Sequence, residues 1–258
     1  MLGVAPLALS LLLSAGAGAA VYTVALDPGH GGSNRGAPTK KDDLFEKHLT
    51  VNIAKRVQEL LVVEKDIKVV VCRSKDVMMP VRARVRCANQ VGARLFISIH
   101  ANAAGVVEGP GSQRGFEIYV LPVAEVDKEV ARVALLAPDD NEAAWAGHRV
   151  RDAAEQSLAA ARRIEWRLAD TVGRDRDRGI KQEGATLDVL QGLDMPAVLV
   201  EIGFLDHAEE GPFLLSEAGQ VAVASALAGA ITDLRSREKR GQREPMTTAP
   251  HAGQGLAP

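Results

Sequence analysis

The sequence is poor in several residue types that define whole classes of protein. Aromatic side chains make up only 3% of the 258 residues, and there are two cysteines. Two thiols are too few for a disulfide-dense scaffold, a cysteine-rich structural zinc site or an iron-sulfur cluster held by the usual thiolates. Neither sign of charge dominates: 31 Lys and Arg face 33 Asp and Glu, a formal net charge of -2. That balance gives no general electrostatic reason to bind nucleic acid. What is present is ordinary for a globular protein, with 47% hydrophobic and 25% charged residues and length enough for a substantial core. The chain shows no internal repeat and no separate second domain.

One long uncharged apolar stretch stands apart. Residues 1–20, MLGVAPLALSLLLSAGAGAA, have a leucine-rich centre from Leu7 to Leu13 and end in small residues. This is the pattern of a secretory signal peptide, and cleavage after Ala19 or Ala20 satisfies the small-x-small rule. The amino terminus is then the only positive charge in its first region. About 20 apolar residues also suffice to cross a bilayer. A strand-like segment starts at Val21, however, and leaves no linker to hold a folded domain clear of lipid. The expectation is export, with no stable membrane span after signal cleavage.

The mature chain alternates between two periodicities. Val21 to Leu26 is a β-branched run closed by Asp27-Pro28-Gly29, hence a buried strand leading into the glycine-rich loop HGGSNRGA. Leu49, Ile53, Val57 and Leu60 recur at helical spacing, with Asp43 and Glu46 arranged like a capping box before them. Ile67 to Val71 reads as a second strand, Val81 to Val91 as a second helix, and Leu95 to Ile99 as a third strand. This alternation predicts an α/β fold, a single domain with a twisted, largely parallel sheet flanked by helices, because parallel neighbours need helical crossovers. A fourth strand is predicted from Phe116 to Leu121. A charged, alanine-rich helical stretch follows from about Val123 to Val172. Pro138-Asp139-Asp140-Asn141 breaks it into at least two helices that project from the sheet or lie across it. Leu187 to Leu190 reads as a short strand, Ala197 to Val200 as a buried one, and Val221 to Leu234 as a closing helix. From residue 235 to 258 the chain is polar and rich in Pro, Gly and charge, so a disordered tail is expected there.

Four polar residues sit where an α/β sheet collects ligands, at the carboxyl ends of its strands. His30 follows the first strand, His100 follows Ile99 directly, and Glu201 follows Val200 directly. Glu46 precedes Leu49 on the same helical stripe, so its side chain points inward toward those strand ends. Singly, each has an ordinary reading: Glu46 as a helix-start carboxylate, His30 as a loop histidine. A carboxylate at the end of AVLVEIGFL is harder to explain, because burying it unpaired costs several kcal/mol. Two imidazoles and one carboxylate form a catalytic zinc set, three protein ligands with the fourth position left to water.

These residues lie in motifs that resemble the zinc-dependent N-acetylmuramoyl-L-alanine amidases of the amidase type 3 family, which cut bacterial peptidoglycan. The motifs are VALDPGHGG around His30, FEKHL around Glu46, LFISIHANA around His100, GFEIYVL around Glu117, RGIK from Arg178 to Lys181, and MPAVLVEIGFL around Glu201. The resemblance spans roughly Val21 to Leu234, matching in order and spacing. It implies that Zn2+ is held by His30, Glu46 and His100, and that Glu201 is the catalytic carboxylate. It also implies hydrolysis of the amide joining N-acetylmuramic acid to L-alanine of the stem peptide, in the periplasm or cell wall, with a role in wall remodelling or daughter-cell separation. Asn102 is expected to orient His100 or substrate, Glu117 to accept a hydrogen bond behind the ligands, and Arg178 and Lys181 to hold a stem-peptide carboxylate or simply to be solvated. His48, His148 and His207 are expected at the surface. Cys72 and Cys87 form either a disulfide, which export permits, or two buried thiols.

About fifty residues separate the Glu117 strand from RGIK, longer than in compact family members. The segment resembles the helical insertion of cell-division amidases, which covers the active site until an activator protein displaces it. Glu125, Asp127, Asp139, Asp140 and Glu142 are its candidate plugs. The alternative is a solvated hairpin that widens the substrate groove. Competing functions are a zinc carboxypeptidase acting within the stem peptide and a catalytically silent wall-binding module. A nucleotide-binding domain is disfavoured, since HGGSNRGA lacks the phosphate-cradling spacing and lysine.

Overall fold

A computed structural model describes residues 21–39, 44–105, 108–182 and 187–241. The leader at residues 1–20, Asp43 and the last seventeen positions of the expected tail lie outside the described residues. Six strands form one sheet: β1 (Tyr22–Pro28), β2 (Ile67–Val71), β3 (Leu95–Asn102), β4 (Phe116–Tyr119), β5 (Asp177–Lys181) and β6 (Ala197–Phe204), in the order β2-β1-β3-β6-β4-β5. Ladders β1–β2, β1–β3, β3–β6 and β4–β5 are parallel, and only β4–β6 is antiparallel. The largely parallel α/β sheet read from the sequence is therefore the fold. No helix of the described residues is long and apolar enough to cross a membrane.

Strand alternation divides the hydrophobic residues between two cores. Val24, Leu26, Ile97, Ile99, Val198 and Val200 face the helices α1 (Glu46–Leu61), α4 (Asp140–Val172) and α6 (Glu217–Lys239). Ala25, Phe96, Ala197 and Leu199 face the thinner side, covered by α2 (Val81–Gln90) and by Leu187, Val189 and Leu190. A short helix, α5 (Glu210–Leu215), precedes α6. The expected strand at Leu187–Leu190 is a 3-10 turn, Asp188–Leu190. A short apolar run carries no periodicity with which to separate strand from turn. The motif RGIK, conversely, lies on an edge strand whose charged residues and glycine hide its strand character.

The long stretch before RGIK does form two helices, α3 (Val123–Leu136) and α4, broken at Pro138 as expected. Its position corrects the lid expectation. Because β4 runs antiparallel to β6, the chain leaves β4 at the amino-terminal edge of the parallel strands, opposite the edge that carries His100 and Glu201. Val126 and Glu129 of α3 line a small cavity with Val150, Ala153 and Ser157 of α4 and with Met195 and Ala197 at the start of β6. Ser157 Oγ accepts a hydrogen bond from Ala197 N at 2.9 Å and donates to Ala153 O at 2.7 Å. The candidate plugs are engaged at that far edge: Glu125 with Lys128, Asp127 with Arg151, and Asp139 as the cap accepting from Glu142 N, with Asp140 and Glu142 in the first turn of α4. The second half of α4 is part of the main core through Ala161, Ile164 and Leu168. The hairpin therefore does not cover the site, and an activator that works by displacing it is not supported.

The closing helix also runs beyond the expected boundary. Residues 235–239 continue α6, and Arg235, only 6% exposed, donates from Nε to Asp66 at 3.2 Å and stacks over the Tyr22 ring. Lys239 joins the same carboxylate, and Arg94 pairs with Glu238 at 2.6 Å. Charged helix formers that look unable to fold in isolation are here paired across the domain.

On α4, half-buried Glu165 has its carboxyl pushed up to about 7 by burial and by Asp177, with Arg162 opposing. A folded-state value above the unfolded 4.5 costs stability as pH rises through that window. Glu165→Gln should raise the melting temperature at pH 8. The gain should shrink as pH falls and vanish below about pH 4.5 in a pH series of thermal melts.

Candidate metal centre

The site begins where β1 stops. Asp27 and Pro28 end the strand, Gly29 N donates to Ile99 O at 2.9 Å, and the chain then turns so that His30 adopts φ 62, the one positive φ outside glycine among the described residues. A left-handed non-glycine residue costs about 1–2 kcal/mol, so its surroundings must enforce it. Asn34 Oδ1 accepts a bond from Gly36 N at 3.3 Å and faces His30 Nδ1 at 2.8 Å. An atom that accepts from a backbone N–H is the oxygen, so Nδ1 carries a proton and Nε2 is the nitrogen turned inward.

Glu46 is the first residue of α1 and is 2% exposed. Its carboxylate is not spent on capping. Phe45 is the cap residue, and His48 Nδ1 accepts from Phe45 N at 3.2 Å, which gives His48 a helix-start role where surface solvation was expected. Glu46 Oε2 lies 2.8 Å from His30 Nε2 and accepts from Ala37 N at 2.8 Å. Oε1 lies 2.9 Å from His100 Nδ1 and accepts from Ala101 N at 3.0 Å. Burial alone would raise this carboxyl, but the hydrogen bonds from His100 and His30 outweigh it and hold it down at about 2. Desolvation disfavours the half-buried His100 imidazole as a cation, yet its bond to Glu46 raises its pKa. One nitrogen from each imidazole and one Glu46 oxygen lie within 4.8 Å of one another. Two glycines make room for these side chains. A Cβ on Gly29 would come within 2.4 Å of the His100 ring, and one on Gly36, at φ 71, within 2.4 Å of Glu46 Oε2.

β-Register supplies the rest. His100 on β3 pairs with Glu201 on β6, and Glu201 pairs with Glu117 on β4, so the three side chains form a row on the α2 side of the sheet. Glu201 Oε2 is buried without a hydrogen-bond partner among the described residues. Burial pushes its carboxyl up to about 7, with His100 opposing and Glu46 and Glu117 reinforcing. Two inward nitrogens, a bound carboxylate and an unsatisfied buried oxygen beside them fit a divalent cation with an open position.

Glu117 anchors a second network. It accepts from Asn102 Nδ2 at 2.8 Å, Tyr119 OH at 2.9 Å and Arg178 Nε at 3.0 Å. Burial and the Glu117 carboxylate push the Tyr119 phenol up, so it stays a donor. Asn102, Glu117 and Arg178 are thus gathered beside Glu201. Lys181 pairs with Tyr119 farther along β5, and no described hydrogen bond or ion pair joins it to the cluster. His148 is exposed, whereas His207 Nδ1 accepts from Glu210 N at 3.1 Å. Asn34, Tyr119, Arg73 and Arg84 were missed in the sequence; only Asn34, in a glycine-rich loop four residues after His30, carried a local signal.

A family model described as N-acetylmuramoyl-L-alanine amidase, type 3, matches residues 24–233. The chain belongs to this family. It is 30% identical over 222 residues to the amidase AmiC of Escherichia coli, covering 81% of this chain and 51% of AmiC. Against the amidase AmiA of Escherichia coli it is 30% identical over 224 residues, covering 81% of this chain and 74% of AmiA. The chain thus spans about half the length of AmiC. The solved N-acetylmuramoyl-L-alanine amidase of Clostridium difficile superposes with TM-score 0.66 at 28% identity, over 84% of this chain and 97% of that one. The catalytic domain of CwlV from Bacillus (Paenibacillus) polymyxa gives 0.64 at 27% identity, over 84% and 99%. Both similarities cover the amidase fold from end to end.

The glycine geometry makes a matched pair of substitutions informative. Gly36→Ala drives a methyl into Glu46 and should weaken divalent-metal uptake at least tenfold while lowering stability. Gly92→Ala, at φ 61 with open space around it, should cost only about 1 kcal/mol and leave metal uptake unchanged. Metal titration and thermal melts of the two proteins check this.

Proposed function

We propose that this chain is a zinc-dependent N-acetylmuramoyl-L-alanine amidase that hydrolyses the amide between N-acetylmuramic acid and the L-alanine of peptidoglycan stem peptides. The carrying observation is the convergence of His30, Glu46 and His100 beside a buried Glu201 oxygen that has no hydrogen-bond partner among the described residues. His30, Glu46 and His100 would hold the ion. When bound, zinc supplies Lewis acidity toward water and the scissile carbonyl. Glu201, in register with His100 on the neighbouring strand, takes the proton of the attacking water and returns it to the leaving amine. Its Oε2, buried without a hydrogen-bond partner among the described residues, leaves a carboxylate oxygen free for that proton. Arg178, fixed by Glu117 and by Gln113 at 2.8 Å, is the candidate contact for a stem-peptide carboxylate. Asn102, through Glu117, steadies the same wall of the site.

Export to the periplasm or cell wall agrees with this substrate. The Cys72–Cys87 disulfide supports it, because such bonds persist in oxidising compartments. The role that follows is wall remodelling or daughter-cell separation.

Digestion of purified peptidoglycan, with mass analysis of the released fragments, tests the reading. Stem peptides beginning at L-alanine should appear, vanish with a zinc chelator and return with added zinc. Shortened stems would instead identify a carboxypeptidase, and zinc-independent binding without release would identify a silent wall-binding module. Glu201→Gln should retain zinc uptake and lose about 100-fold or more in turnover. Loss of zinc along with activity would make Glu201 a ligand and overturn its role.

A further inference from the structure

The strained backbone at His30 is gripped by two buried arginines. Arg73 and Arg84 are 1% and 5% exposed. Arg73 donates from Nε to Pro28 O at 3.1 Å and from a terminal nitrogen to Gly29 O at 2.7 Å. Arg84 donates to Pro28 O at 2.7 Å, to His30 O at 2.5 Å and to Asp27 Oδ1 at 2.7 Å. Every carbonyl from Pro28 to His30 therefore ends on a guanidinium. Asp27, itself fully buried, is held from its other oxygen by Ser98 Oγ at 3.0 Å. The loop is moulded to this grip, since a Cβ on Gly31 would come within 2.8 Å of Arg73 Cδ.

The two arginines come from different elements. Arg73 follows β2, and Arg84 lies in the first turn of α2. What joins those elements covalently is the bond between Cys72, adjacent to Arg73, and Cys87, one helical turn beyond Arg84, with Cα atoms 5.9 Å apart. The disulfide thus ties together the two elements whose guanidinium groups bind the carbonyls of Pro28, Gly29 and His30.

We propose that the Cys72–Cys87 disulfide, acting through Arg73 and Arg84, is a positioning device for the metal centre: it presets the His30 loop so that Nε2 meets Glu46 and His100. Cys72, Cys87, Arg73 and Arg84 are positioning residues that act on the ligand from behind. Their contribution is to metal affinity and ligand geometry as well as to folding. The proposal rests on the reading of His30, Glu46 and His100 as zinc ligands.

The test measures zinc affinity of the full chain by competition with a chromophoric chelator, and the visible absorption of the cobalt-loaded protein. Four proteins are compared: the parent, the double variant Cys72→Ala/Cys87→Ala, Arg84→Lys with the disulfide intact, and Arg167→Ala. The last removes an ion pair with Asp233 between α4 and α6, away from the site, and controls for general destabilisation. The double variant and Arg84→Lys should each bind zinc about 10- to 100-fold more weakly and show an altered cobalt spectrum. Arg167→Ala should melt lower yet keep its zinc affinity within about twofold of the parent. Parental affinity and spectrum in a folded double variant would overturn the proposal by reducing the disulfide to a folding constraint. If the double variant does not fold, unchanged affinity in Arg84→Lys overturns it equally. A parent that takes up no zinc would instead defeat the metal reading, a failure visible before any variant is compared.

Discussion

A carboxylate buried to 2% exposure is tolerable only where its charge is fully met, and the architecture around Glu46 follows from that constraint. Two imidazole nitrogens and two backbone N–H groups converge on its two oxygens. They come from four places: the loop after β1, the end of β3, the backbone beyond His100, and the turn that leads into α1. Each must be delivered to within hydrogen-bond distance at once. The parallel pairing of β1 with β3 brings His30 and His100 together. Gly29 and Gly36 leave the space that any side chain would occupy. The same demand explains why α1 begins with Glu46 and leaves the helix-start contact to His48.

Around that charge the sheet arranges a gradient of hydrogen-bond satisfaction. Glu46 is saturated, Glu117 accepts three side-chain donors, and Glu201, in the row between His100 and Glu117, leaves one buried oxygen without a partner among the described residues. Three carboxylates of the same chemical type are thereby given different work. Glu46 is held charged between two imidazoles, Glu117 braces Arg178, and Glu201 leaves a buried oxygen unbonded among the described residues. This division arises because β4 meets β6 antiparallel, in the register that sets Glu117 opposite Glu201.

That reversal also places the α3–α4 hairpin. Once β4 runs the other way, the chain that leaves it emerges at the edge of the sheet remote from His30, Glu46 and His100. Its helices grow there, with Ser157 tied to the first residue of β6. The helical content of the segment and its break at Pro138 were legible, because helix periodicity and proline chemistry are local. Its lid role was inferred by resemblance to larger relatives, and the direction of one four-residue strand removes it. The polar end of α6 was misread for a related reason: Arg235 and Lys239 meet Asp66, a partner far away in sequence, so no local pattern shows that they pair.

The sequence by itself determined the alternation of strands and helices, the single sheet, and the positions of His30, Glu46, His100 and Glu201. Each of these is written in short-range periodicity or in a polar residue that interrupts an apolar run. Only the tertiary structure decided which carboxylates pair, how Asn34 orients the His30 ring, and that Lys181 stands apart while Arg178 joins the site. It alone also decided that the two cysteines form a disulfide joining the end of β2 to α2 rather than two buried thiols. These features depend on strand register and on contacts between residues up to 169 positions apart, as in the Arg235–Asp66 bond. Chain spacing carries no record of such distances until the sheet closes.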